Sequence, residues 1–129
     1  MKKRVLLDTH IFLWAITDDP RLSRTHRRIY MDGTSELWLS VASVWEVLIK
    51  SGLGKLSVPK PAAAWIAKQM ELNRVSLLPI RPSHLAGLET LPPLHRDPFD
   101  RMLVAQANAE SLSILSDDVV VRKYAVAVL

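Results

Sequence analysis

No cysteine occurs among the 129 residues. That absence excludes disulfide scaffolds, thiolate metal sites and cysteine nucleophiles, and it accords with a reducing, cytoplasmic setting. Glycine is scarce as well: Gly33, Gly52, Gly54 and Gly87 form neither a P-loop nor a dinucleotide-binding fingerprint. The opening MKKRVLLDTHIFLWAI has the basic-then-apolar order of a secretory leader. Asp8 and His10 interrupt it, however, and no small-residue cleavage site follows, so it reads as mature protein. No uninterrupted apolar stretch approaches the roughly 18 residues of a membrane span, so a soluble chain with no membrane association is expected.

What is present is ordinary globular composition, 49% hydrophobic and 23% charged. The length suits one domain, 1–129, around a single core. Net charge is +4, with basic residues gathered at Lys2, Lys3 and Arg4 and again at Arg21, Arg24, Arg27 and Arg28. Such a balance favours a polyanionic partner, although a solvated basic helix face has the same composition.

Strand and helix patterns alternate along the chain. RVLLD (4–8), ELWLS (36–40), VSLLPI (75–80), SLSILS (111–116) and AVAVL (125–129) read as strands. Helices are expected over 9–16, over a segment opened by Asp19-Pro20 and closed by Gly33, over 41–54, 61–73, 82–90 and 98–110, with a brief one at 119–124. The alternation predicts an α/β fold with a mainly parallel central sheet.

Four acids fall at element boundaries: Asp8 after the first strand, Glu46 in the first turn of the helix after the second, Asp100 opening the helix at 98–110, and Asp118 after SILS. In a parallel sheet the strand C-termini and the following helix N-termini share one edge, where ligands bind. Each acid also has a capping explanation. Ser43-Val-Trp-Glu46 matches a capping box, Asp97 before Pro98 suits an N-cap, Asp100 opposes the helix dipole at N3, and Asp117 or Asp118 could cap the next turn, in competition with Ser116. Asp8 resists that treatment, because an ionised acid closing an apolar strand is costly to bury unpaired. Capping also leaves unexplained why all four acids lie at one predicted edge.

Several carboxylates in one crevice repel one another unless a cation compensates. Oxygen ligands with no cysteine and no histidine pair at ligand spacing favour Mg²⁺ or Mn²⁺ over zinc. The matching chemistry is metal-assisted hydrolysis of a phosphodiester, which agrees with the basic charge. His10 and His95 read as structural or surface residues, with His95 close enough to Asp97 to merit attention. Trp14, Trp38, Trp45 and Trp65 read as core or interface. Lys50 and Lys55 could reach phosphate, and Thr9 and Ser40 offer hydroxyls near the expected cation.

LLDTHIFLW, LSVASVWEVLIKSGLGKL, LPPLHRDPFDRMLVAQA and ILSDD…YAVAVL together resemble the PIN-domain ribonucleases, specifically the VapC-type toxins of toxin–antitoxin pairs. The resemblance implies a PIN-like α/β/α sandwich, an Mg²⁺- or Mn²⁺-dependent endoribonuclease acting on RNA, a homodimer and a cognate antitoxin. Apolar surface near Trp14 and Trp45 is the expected antitoxin docking site. Position by position, the resemblance assigns Asp8, Glu46, Asp100 and Asp118 as catalytic and metal-binding acids, with Thr9 as the hydroxyl after the first. Asp97 belongs to the HRDPFDR variant and is secondary, and the doubled Asp117-Asp118 leaves the fourth position open by one residue. A non-catalytic nucleic-acid-binding or regulatory module would have lost these acids. A phosphatase would want a second aspartate where His10 stands, and a phosphoacceptor domain would want adjacent N-terminal acids.

Overall fold

A computed structural model describes residues 2–129. Its elements run β1 (Arg4–Leu7), α1 (Thr9–Ile16), α2 (Arg24–Met31), β2 (Glu36–Ser40), α3 (Val41–Gly52), α4 (Ala62–Asn73), β3 (Val75–Leu78), α5 (Pro82–Thr90), α6 (Pro98–Glu110) and β4 (Ser113–Leu115), then a 3₁₀ turn at Val121–Lys123. The four strands form one parallel sheet in the order β3-β2-β1-β4, with helices on both faces. This is the expected α/β/α sandwich.

The sheet is buried on both sides, so β1 reads as a continuous apolar run and not as an alternation. Its side chains nonetheless alternate in space. Val5 and Leu7 join Leu37, Leu39, Ile11, Phe12, Ile66 and Met70 in one core, while Leu6 joins Leu103, Val104, Ile114, Val121 and Tyr124 in the other. Leu103 is 2% exposed. Leu103→Ala is therefore expected to cost about 2–5 kcal/mol, read as a lower urea midpoint at unchanged m-value.

Three local expectations are corrected. The second helix begins at Arg24, capped by Ser23, whose hydroxyl accepts the His26 N–H at 3.1 Å. The Asp19 carboxylate is engaged by the Arg21 amide and guanidinium instead, which closes a separate turn at Pro20. Residues 125–129 form no regular strand: a parallel bridge joins Val128 to Ile114, backed by Ile114 N–H to Ala127 O and Leu129 N–H to Ile114 O, both 2.8 Å. Finally, the cap of α3 is Ser40, accepting the Ala42 N–H at 3.0 Å, so Ser43 and Glu46 make no capping box and Glu46 sits in the second turn. Ser43 instead accepts a hydrogen bond from the Thr9 hydroxyl at 2.8 Å, tying α3 to α1.

β1 and β4 deliver Asp8 and Ser116 to the same sheet edge, where the Asp8 N–H donates to Leu115 O at 3.0 Å. No helix among the described residues is long and apolar enough to cross a membrane.

Candidate metal centre

Asp8 leaves β1 and immediately caps α1, accepting the His10 N–H at 3.0 Å. The Ser116 hydroxyl donates to its second oxygen at 2.7 Å, and Ser116 in turn accepts the Asp118 N–H at 3.0 Å. Burial pushes the Asp8 carboxyl above its ordinary value and the Glu46 charge pushes the same way, while the Ser116 and His10 hydrogen bonds pull against both.

Asp97 is the N-cap of α6 as expected, accepting the Phe99 N–H at 2.8 Å and the Asp100 N–H at 3.4 Å. Pro98 follows at N1, where its missing amide proton costs nothing, and Asp100 then stands at N3 facing inward. Burial raises Asp100 to about 8, reinforced by the charges of Asp8, Asp97 and Glu46 and opposed by His95.

Asp118 uses one oxygen to cap the 3₁₀ turn, accepting the Val120 N–H at 2.7 Å. Its other oxygen lies 3.0 Å from His95 Nε2, and Asp100 Oδ2 lies 3.1 Å from the same nitrogen. His95 Nδ1 accepts the Asp97 N–H at 3.1 Å, so a neutral ring carries its proton on Nε2, aimed at both carboxylates. Burial lowers the affinity of His95 for a proton, but the hydrogen bond to Asp118 and the surrounding aspartates outweigh it and hold the imidazole above its usual value. Burial likewise works to raise Asp118, yet the His95, Val120 and Val121 hydrogen bonds hold it below the usual range. Asp117 is exposed.

Asp8, His95, Asp97, Asp100, Asp117 and Asp118 line one open cavity of about 430 Å³, flanked by His10, Trp14 and Arg21. One ligand atom each from His95, Asp100 and Asp118 lies within 4.8 Å of the others. Glu46 lines an adjoining cavity with Thr9, His10, Lys50 and Lys55, and influences Asp8 and Asp100 through its charge. It is 2% exposed, one oxygen pairs with Lys50 Nζ at 2.5 Å, and Oε1 has no hydrogen-bond partner among the described residues. The structure thus brings Asp8, Asp100 and Asp118 to one cavity and sets Glu46 beside it.

His95, read from the sequence as structural or surface, sits between two of the acids. The signal was in HRDPFDR itself, but the contact to Asp118 spans 23 residues and no local pattern encodes it. Of the two readings for Trp45, core or interface, exposure excludes the core: it is 58% exposed, in an edge-to-face contact with Phe99 at a ring-centroid distance of 5.5 Å. Trp14 is half-buried beneath Arg21, whose guanidinium lies 5.1 Å from the ring.

These residues suit a divalent cation. Three aspartates and an unpartnered buried carboxylate oxygen supply hard oxygen donors with one imidazole beside them, and burial together with the neighbouring carboxylates holds Asp100 up at about 8, a charge repulsion that a cation would relieve.

The PIN domain profile matches residues 5–127. The chain belongs to the PIN domain family. Over 60 residues, 46% of this PIN domain chain and 43% of the other protein, it is 37% identical to Ribonuclease VapC16 of Mycobacterium tuberculosis. The PIN fold is also that of VapBC2 from Rickettsia felis, solved bound to a DNA fragment from its promoter. That match has TM-score 0.72 and 13% identity, covering 98% of this chain and 97% of that one. FitAcB from Neisseria gonorrhoeae matches with TM-score 0.61 and 19% identity, covering 97% and 96%.

Proposed function

We propose that this PIN domain protein is a metal-dependent endoribonuclease, the VapC-type toxin of a toxin–antitoxin pair acting in the cytoplasm. The observation that carries the reading is the convergence of Asp8, Asp100 and Asp118 on one cavity, with a buried, unpartnered oxygen of Glu46 beside it. The similarity to a relative named as a ribonuclease supports the reaction class, and the likeness to VapBC2 supports a cognate antitoxin partner. A homodimer belongs to the same reading.

Asp8, Glu46, Asp100 and Asp118 would hold Mg²⁺ or Mn²⁺, the choice following from their oxygen donors. When bound, the cation supplies acidification of a water and charge stabilisation for the departing oxygen of the phosphodiester. The chain's own groups do the rest. Ser116 orients Asp8 and steadies its charge. Lys50 neutralises one oxygen of Glu46, and His95 presents an N–H between Asp100 and Asp118. Exposed cationic side chains, Arg24 and Arg28 among them, hold the RNA backbone by charge. Exposed Trp45 and half-buried Trp14 offer apolar surface for the antitoxin, and a pulldown that recovers no small partner protein counts against that assignment.

The test is cleavage of a mixed RNA pool by antitoxin-free protein in Mg²⁺, Mn²⁺ or EDTA, beside Asp8→Asn. Asparagine still caps α1, so the variant is expected to fold while its cleavage falls by more than about 100-fold. Equal cleavage by both proteins, or cleavage undiminished in EDTA, overturns the reading.

A further inference from the structure

Tyr124 is 4% exposed at the end of the 3₁₀ turn and belongs to the apolar core beneath α6. A phenylalanine would serve that packing. The hydroxyl instead reaches the segment between α5 and α6, where Tyr124 Oη accepts two consecutive backbone amides, Leu94 N–H at 3.1 Å and His95 N–H at 2.8 Å. Arg101 Nη1 donates to the same oxygen at 3.2 Å and to Pro92 O at 2.9 Å, and Nη2 donates to Leu91 O at 3.3 Å. Tyr124 and Arg101 thus fasten four of the five residues from Leu91 to His95.

Packing covers this segment only in part, with Leu91 resting against the core that holds Tyr124. A cavity of about 580 Å³, bordered by Leu91, Pro92, Leu94 and Tyr124 itself, adjoins it. What emerges from the fastened stretch is the His95 ring, whose Nε2 lies 3.1 Å from Asp100 and 3.0 Å from Asp118. A ring placed between two carboxylates depends on where its backbone sits, and groups around metal ligands set the orientation of those ligands.

We propose that Tyr124 is a positioning residue of the acidic site, fixing through the Leu94 and His95 amides, together with Arg101, the place of the His95 ring between Asp100 and Asp118. Its consequence for catalysis rests on the metal-dependent nuclease reading. Its consequence for His95 does not, since that contact is present in the protein alone.

The experiment uses the full chain with isotopically labelled histidine. Tyr124→Phe keeps the ring in the core and removes Oη. In metal-free protein the His95 ring signals are expected to shift or broaden, while those of His26 and His84, buried elsewhere, stay in place and report an intact fold. Affinity for Mn²⁺ is expected to fall about 10-fold, and kcat about 10-fold at nearly constant KM. Arg101→Met leaves Tyr124 in place and is expected to move the same signals in the same direction, which covers the case in which Tyr124→Phe does not fold. Unmoved His95 signals overturn the proposal, as does a displaced His95 with Mn²⁺ affinity and kcat at the parent's level. A parent protein that neither binds Mn²⁺ nor cleaves RNA brings down the nuclease reading, and the His95 spectra still decide whether Tyr124 places that ring.

Discussion

Asp100→Asn is expected to abolish RNA cleavage and, in the absence of metal, to make the protein more heat-stable. Burial and the charges of Asp8, Asp97 and Glu46 raise the Asp100 carboxyl to about 8, far above the ordinary range. In the unfolded chain the same group ionises near pH 4. Between those limits the unfolded state has released a proton that the folded state retains. The contribution of Asp100 to stability therefore falls as pH rises from about 4 to about 8 and then levels off. Asparagine is neutral throughout and has nearly the same shape, so it removes the penalty at the cost of the His95 contact. Calorimetry in EDTA should show the melting temperatures of parent and variant close together near pH 5. By pH 8 the variant should lead by several degrees, at roughly 3 °C per kcal/mol relieved. Cleavage should fall by more than about 100-fold at every pH. A variant less stable than the parent at pH 8 would show that the His95 contact outweighs the repulsion.

The second large effect is stabilisation of the parent by metal. A cation that binds the folded state alone at 100 times its dissociation constant adds about 2.7 kcal/mol, close to 8 °C for a chain of this size. Because Asp100 must lose its proton to act as a ligand, the shift should grow from pH 6 to pH 8 and be accompanied by proton release. Mg²⁺ and Mn²⁺ should both produce it, and Asp100→Asn should lose most of it. A parent melting temperature indifferent to either cation at pH 8 would remove Asp8, Asp100 and Asp118 from consideration as a cation site.

Those carboxylates were legible in the sequence to different degrees, and the reason is distance along the chain. Asp97-Pro98-Phe99-Asp100 declares both a cap and an inward-facing acid within four residues, because N-cap and N3 geometry is local. RVLLD likewise marks a buried strand and the acid ending it. Glu46 was found but misplaced by a turn: Ser43 has capping-box spacing, yet Ser40 takes the cap and Ser43 goes to Thr9. AVAVL has strand composition, but its pairing reduces to one bridge at Ile114, which propensity cannot foresee. His95 was underrated because its partners Asp100 and Asp118 come from the next helix and from a turn beyond β4. The apolar pattern around Trp45 left core and interface open, and only the packing of α3 places it on the outer side against Phe99.

The parallel order β3-β2-β1-β4 puts β1, the earliest of the four strands in chain order, in the interior of the sheet and leaves one of its neighbours to a segment made much later. The hydrogen bond from Ser116 to Asp8 spans 108 residues, so at roughly 5–20 residues per second Asp8 waits about 5–20 s for its partner. Throughout that interval the growing chain has no Ser116, no Asp118 and no closed cavity. An acidic cavity assembled from residues so far apart in the chain thus cannot act while the stretch between them is still being made.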